Sequence, residues 1–189
     1  QRTATSQTSR RCAHTDSRRS ARIGGYRYRW CSAPYDVDMW LAAGIVGAYL
    51  VGTFPTALWL GRRAGVDPTK AGSGNPGASN VYRLSGKRIG VLVGVIDALK
   101  GVIPVAITLV LAGRPEAHAV WTAAVAGHVW PFYRRFRGGK GVATAGGGGL
   151  VLSPLVGLAC AVLFFSVVML GRVAAVGSLS IALGYPIIT

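Results

Sequence analysis

The sequence predicts an all-α, polytopic transmembrane helical bundle of about six helices. Three observations predict it. The 189-residue chain has a mean hydropathy of +0.41 and only 14% charged residues, where a soluble domain carries about a quarter. Long uncharged runs recur along it. The cationic residues lie between those runs in short clusters, as expected of loops on one side of a membrane.

Residues 1–38 form the first unit, predicted to be a disordered basic extension. Eight of the 21 Lys+Arg residues fall there, all arginine. Its composition is polar and poor in aliphatic residues, too little to bury a core. An Arg- and Ser-rich start can mimic a transit peptide. The simpler reading is a spurious start, with Met39 as the true first residue, because the apolar pattern begins there.

Residues 39–189 form the second unit, the membrane domain. Residues 39–61 carry no charge and are long enough for one spanning helix. A second span is predicted over 89–112, interrupted by Asp97 and Lys100. These two are three apart on one helix face, and a mutual ion pair is the expected arrangement, since lone charges in a span are costly. Lys100-Gly101 also stands as a candidate border of an active site. A third span runs over 117–133. Residues 141–171 are again uncharged but contain Ser153-Pro154. Proline removes a donor and disfavours helix at the residue before it. Two short helices, 141–152 and 155–171, are therefore predicted, and residues 173–189 begin a sixth. The run ends at Thr189 without a polar tail, which reads as a chain truncated at its C-terminus.

The loop charges set the expected orientation. Residues 62–88 and 134–140 are rich in Lys and Arg, while 113–116 carries only Arg114. Residues 62–88 and 134–140 are therefore predicted to be cytoplasmic. A net charge of +15 would otherwise suggest nucleic acid, but confinement of the cations to membrane-edge clusters and the extension argues against that partner. Cys12, Cys31 and Cys160 have no metal-ligand spacing, so no metal and no cofactor are expected.

Two polar clusters carry chemistry. The first is Gly72-Ser73-Gly74-Asn75-Pro76-Gly77-Ala78-Ser79-Asn80-Val81-Tyr82-Arg83. Its glycines allow close backbone approach to a ligand, and successive N–H groups can form an anion-binding concavity. Ser73, Asn75, Ser79 and Asn80 add neutral donors, and Arg83 can clamp a phosphate. The alternative is an ordinary Gly/Asn/Pro loop. The second cluster runs from Gly127-His128 through Arg137-Gly138-Gly139-Lys140-Gly141-Val142-Ala143-Thr144. It places backbone donors and a lysine at a helix N-terminus, a suitable phosphate site, although the P-loop spacing is absent. Its alternative is a positive cluster with a glycine hinge. His128 is either a structural hydrogen-bonder or a base. Arg172 to Ser180 reads alone as a Ser/Gly-containing helix start.

Together these segments resemble the PlsY family, the integral-membrane acyl-phosphate:glycerol-3-phosphate acyltransferases of bacteria. Gly72 to Arg83 followed by Gly86 looks like its first motif, Gly127 to Thr144 looks like its second, and Asp97-x-x-Lys100-Gly101 also fits. The resemblance covers residues 39–189. It implies a seven-helix fold in the bacterial plasma membrane with its motifs facing the cytoplasm. It implies transfer of an acyl group from acyl phosphate to glycerol 3-phosphate, giving lysophosphatidic acid and phosphate, the first step of phospholipid synthesis. Lys140, His128 and Arg83 become the candidate catalytic residues. Ser73, Gly74, Asn75, Gly77, Ser79, Asn80, Gly138, Gly139, Gly141, Thr144 and Ser178 become the candidate phosphate ligands. Departures from the family pattern are Ser79 for Thr, Arg137 for Lys and Ala175 for the first serine of the third motif. A monomer embedded in the bilayer is expected. The competing readings are a transporter for a phosphorylated solute, which would show internal repeats, and a non-catalytic scaffold.

Overall fold

The computed structural model describes residues 20–23, 26–29 and 35–171. Two compact units divide the chain, residues 1–40 and 41–189. In the first, β1 (Ser20–Ile23) pairs antiparallel with β2 (Tyr26–Arg29), Ser20 opposite Arg29 and Ile23 opposite Tyr26. The extension predicted to be disordered therefore contains a short ladder.

The rest is helical: α1 (Tyr35–Thr53), α2 (Thr56–Arg63), α3 (Ala78–Ser85), α4 (Lys87–Leu111), α5 (Arg114–Val129), a 3-10 turn (Phe132–Arg134), α6 (Val142–Leu152) and α7 (Pro154–Gly171). Among the described residues, two segments are long and apolar enough to cross a membrane, Met39–Arg63 and Lys87–Leu111. Many large apolar side chains are exposed, among them Val110, Leu111 and Leu155. Such a surface suits lipid rather than water.

The expected single helix over 39–61 is broken at Phe54-Pro55. Pro55 has no N–H to continue the ladder and pushes Phe54 out of the helical region. Main-chain carbonyls are freed at the break, and side chains from distant segments occupy two of them: Tyr133 Oη donates to Thr53 O, and Lys100 Nζ to Phe54 O. The third span begins at Arg114 rather than 117, because Gly113 takes φ +110° and Pro115 fits the first helical turn. The break at Pro154 is present as predicted. There α7 doubles back so closely that a methyl group on Gly157 would lie 2.6 Å from Leu150 Cα. At 11 residues, α6 rises only about 16 Å, half the hydrocarbon thickness. The predicted sixth span, residues 173–189, lies outside the described residues.

Small residues set the helix spacing, as is usual where lipid removes the hydrophobic drive for association. A Cβ on Gly52 would sit 2.2 Å from Ala124 O, and one on Gly127 would sit 2.1 Å from Tyr49 O. These contacts press α1 against α5, with Ala48, Val120 and Ala124 buried between them. On α4 and α6, a Cβ on Gly101 would meet Thr144 O at 2.0 Å and one on Gly147 would meet Ala98 O at 2.3 Å. Gly148 makes room for the Trp121 ring, whose Nε1 donates to Ala145 O. Val105, Ala117 and Leu152 join α4, α5 and α6, and Ala57, Leu60, Val81 and Val93 join α2, α3 and α4.

Candidate active site

The first polar cluster is half loop, half helix. Residues 72–77 form the loop, and α3 starts at Ala78 behind the N-cap Gly77. Gly72 and Gly74 take φ +61° and +71°, conformations that favour glycine. The loop is held from within by Asn80, which is 3% exposed. Asn80 Oδ1 accepts from the Ser73 N–H, and Nδ2 donates to Pro68 O and Ala71 O. With these three bonds the amide is spent on the loop. Asn80 thus shapes the cluster instead of presenting a donor to a ligand. A side chain at Gly72 would collide with that same amide, 2.3 Å from Asn80 Oδ1. Ser73, Gly74, Ser79 and Arg83 are exposed, and Asn75 and Gly77 are partly so.

Upstream, Asp67 closes a turn. Its Oδ1 accepts from the N–H and hydroxyl of Thr69, and Arg62 pairs with Oδ2 at 3.0 Å. The hydrogen bonds from Thr69, aided by Arg62, hold the Asp67 carboxyl down at a pKa of about 2.

The second cluster folds back onto the end of α5. The Gly138 N–H donates to Val129 O, and the Gly139 N–H to His128 O. Neither glycine tolerates a side chain: a Cβ on Gly138 would be 2.1 Å from His128 O, and one on Gly139 would be 2.2 Å from His128 Nε2. Gly141 takes φ +74° as the N-cap of α6, with Val129 Cγ2 2.9 Å from where its Cβ would lie. These glycines are dictated by packing and by φ. The first turn of α6 still leaves backbone donors without helical acceptors. Lys140 is exposed beside it, and neither Lys140 nor Arg83 forms an ion pair among the described residues.

The two clusters meet. Gly139 approaches the first loop so closely that its Cβ would lie 3.2 Å from Pro76 O. Pro76 and Gly139 share a narrow cleft with Gly52 to Leu58, Asp97, Lys100, His128, Pro131 and Arg134. Its volume is about 20 Å³, room for one water-sized group. A wider surface groove of about 560 Å³ adjoins it, lined by Pro55, Leu58, Trp59, Arg62, Arg63, Tyr133 and Arg134. There the Arg63 guanidinium lies over the Trp59 ring at 4.1 Å.

Under the cleft is a buried polar network. The expected Asp97–Lys100 pair is formed, Nζ to Oδ1 at 2.6 Å, with both residues buried. Lys100 adds the bond to Phe54 O, and Asp97 Oδ1 lies 3.8 Å from His128 Nδ1. Thr144 is fully buried, and its hydroxyl donates to Asp97 O at 2.8 Å. Thr144 therefore does not offer that hydroxyl to a phosphate. Ser178 lies outside the described residues.

Sequence reasoning missed the break at Pro55 as part of the site, the participation of Arg134, and the link from Lys100 to Phe54. The Phe54-Pro55 dipeptide inside an apolar run was the one available signal. Tyr133, outside the two glycine clusters' ligand sets, completes the same break through its hydroxyl.

Fold and cleft together define a helical integral-membrane protein with two glycine-bearing cationic loops converging at one end of the bundle. The family model described as glycerol-3-phosphate acyltransferase matches residues 42–189. A glycerol-3-phosphate acyltransferase of Syntrophotalea carbinolica is 46% identical over 147 residues, 76% of this chain and 75% of the relative. One from Myxococcus xanthus is 44% identical over 142 residues, 74% of each. Among solved structures, PlsY, an integral membrane glycerol 3-phosphate acyltransferase in its glycerol 3-phosphate form, is similar with a TM-score of 0.73 at 35% identity, covering 77% of this chain and 74% of that one. The same protein in its lysophosphatidic acid form gives a TM-score of 0.71. The chain belongs to the glycerol-3-phosphate acyltransferase family and is an acyltransferase of the integral-membrane, PlsY type.

Proposed function

We propose that this enzyme moves a fatty acyl group from acyl phosphate to the 1-position of glycerol 3-phosphate, releasing lysophosphatidic acid and inorganic phosphate. The observation that carries the reading is the meeting of Gly139 and Pro76, which draws two anion-type loops to one cleft. Two phosphate-bearing substrates repel each other, and a site for both needs cations and backbone donors from more than one loop. Arg83, Lys140 and Arg134 supply the charge, and the Ser73 and Ser79 hydroxyls, the Asn75 amide and the start of α6 supply neutral donors; the Gly74 and Gly77 N–H groups are given to Ala71 O and Asn75 O and shape the loop instead. Ser178 would add a further donor. The adjoining groove pairs arginines with Trp59, Leu58 and Pro55, which suits a donor that is anionic at one end and apolar at the other.

Acyl phosphate is already activated. The enzyme then works mainly by proximity and by stabilising charge on the carbonyl oxygen and the departing phosphate. The glycerol hydroxyl attacks the acyl carbon, the C–O bond to phosphate breaks, and phosphate leaves with the electron pair. The hydroxyl proton passes to the departing phosphate or to His128. The crystal structures of PlsY in glycerol 3-phosphate and lysophosphatidic acid forms support this acceptor and product. No acyl-CoA, acyl-carrier protein, cofactor or metal takes part, and a monomer suffices.

In the membrane, residues 62–88 and 134–140 face the cytoplasm of a bacterium, and about six helices of a seven-helix bundle lie within residues 39–189. The enzyme opens phospholipid synthesis, and the acyl chain lies between apolar helices, open to lipid.

The test offers purified protein glycerol 3-phosphate with acyl phosphate, acyl-CoA or acyl-carrier protein, and identifies products by mass spectrometry. Lysophosphatidic acid is expected from acyl phosphate alone. Product from a thioester with acyl phosphate inert would overturn the assignment.

A further inference from the structure

The turn that follows α5 is tied down through its backbone. The Arg134 and Phe136 N–H groups both donate to Pro131 O, the Arg137 N–H donates to Arg134 O, and the Gly138 N–H donates to Val129 O. From α1, Tyr49 Oη donates to Trp130 O at 2.7 Å. On this closed frame Trp130, Phe132 and Phe136 stay exposed, Phe136 at 61%. Arg135 and Arg137 are exposed on either side of Phe136. Among the described residues neither arginine forms an ion pair, and the Phe136 ring stacks on no other ring.

Arg135 and Phe136 also lie in the left-handed region, at φ +53° and +59°. That conformation is strained for any residue with a Cβ, and most unusual for a bulky one. Two adjacent strained residues thus turn a guanidinium and a phenyl ring outward, and no intramolecular contact of either side chain compensates. Strain of this kind persists where the surroundings fix it and clusters at sites that bind something.

The chemistry of the surface selects its partner. Exposed rings beside arginines suit the boundary where hydrocarbon gives way to headgroups. There the ring enters the ester layer, and the guanidinium binds phosphate oxygens in a fork. An acidic soluble protein would satisfy the arginines but gives no reason for rings at a membrane edge. A zwitterionic lipid brings its own ammonium to the phosphate, so two unpaired cations favour a lipid with net negative charge.

We propose that residues 130–137 form a docking surface for anionic phospholipid headgroups, with Arg135 and Arg137 on the phosphate and Phe136 in the ester layer. The turn runs straight into Gly138 and Gly139, so a lipid seated there braces the second glycine loop. The proposal goes beyond the acyl-transfer reading and does not depend on the acyl donor.

The test is thermal melting of the full chain in nanodiscs of phosphatidylcholine, with or without about one-third phosphatidylglycerol of matched chains. A ligand that binds only the folded state raises the melting temperature, and a rise of roughly 3 °C or more is expected for the wild type. Phe136→Gly relieves the left-handed strain. It should melt as high as the wild type or higher in pure phosphatidylcholine, yet lose most of the rise given by the anionic lipid. Arg135→Gln should lose at least half of that rise. Arg88→Gln, which removes an exposed cation from α4, should keep all of it and so exclude an effect of net charge. The absence of a rise in the wild type, or a full rise in both Phe136→Gly and Arg135→Gln, would overturn the proposal. A rise given by soluble inorganic phosphate and removed by Arg135→Gln would overturn it too, and would mark a small-anion site instead.

Discussion

The Lys100 ammonium donates a hydrogen bond to the main-chain oxygen of Phe54 at 2.6 Å across 46 residues of sequence. It thereby ties the break in the first apolar run to the buried carboxylate of Asp97. Lys100→Met would leave the buried Asp97 carboxylate without its ammonium partner, while Phe54 O keeps the Thr56 N–H. A buried charge deprived of its partner costs about 3–5 kcal/mol, equivalent to roughly 6–20 °C in Tm for a chain of this size. Asp97→Asn combined with Lys100→Met should regain much of that loss, because no lone charge remains. Thermal melts in detergent check this, and a single variant as stable as the wild type would show that the pair contributes nothing.

Gly139 faces His128 Nε2 where a Cβ would stand 2.2 Å away. Gly139→Ala must push the imidazole out of the cleft. Activity should fall by about 10²-fold or more, as for other small misplacements of catalytic groups, while the melting temperature moves by only a few degrees. Initial rates measured beside melts separate the two effects. Near-normal turnover would place the reacting atoms elsewhere.

Within α6, neighbouring glycines should respond in opposite ways. Gly147 faces Ala98 O and Gly148 faces the Trp121 ring, both too close for a Cβ, whereas Gly146 has nothing within 4 Å. Gly147→Ala or Gly148→Ala should destabilise by about 1–3 kcal/mol through forced separation of helices. Gly146→Ala should be neutral or stabilising by up to about 1 kcal/mol, from helix propensity alone. Melts of the three variants decide it.

The helices and the two polar loops were largely legible in the sequence, because uncharged runs and glycine- and arginine-rich clusters are one-dimensional signals. Pro154 likewise announced its own break. Pro55 carries the same chemistry, but the even hydropathy of residues 39–61 masked it. Asn80 shows a deeper limit: an amide in a glycine loop can face a ligand or its own backbone, and only the positions of Pro68, Ala71 and Ser73 reveal the second. Thr144 carries the same ambiguity: a hydroxyl beside a glycine turn suits a phosphate, and only the packing of α4 against α6 turns it to Asp97 O. The glycine run of α6 gave no hint that Trp121 and Ala98 would fill the missing side-chain space.

Asp67 links the first helical segment to the first glycine loop, with its carboxyl pKa lowered from 3.8 to about 2 by Thr69 and Arg62. A lowered folded-state pKa means the folded state favours the carboxylate. The resulting stability is full above about pH 4, the unfolded value, and disappears as pH falls through about 2. The melting-temperature advantage of wild type over Asp67→Asn should follow that course. An advantage that persists unchanged below pH 2 would point to a cause other than the charge.

If the two glycine loops hold phosphate groups together, with Lys140 at the second, glycerol 3-phosphate-dependent phosphate release from acyl phosphate depends on that lysine. Wild type and Lys140→Ala, reconstituted at equal amounts, should differ: steady release by the wild type, and a loss of at least about 10²-fold in kcat/KM for the variant, with membrane insertion and melting temperature unchanged. Release by Lys140→Ala at the wild-type rate would show that the loops do not work in this way.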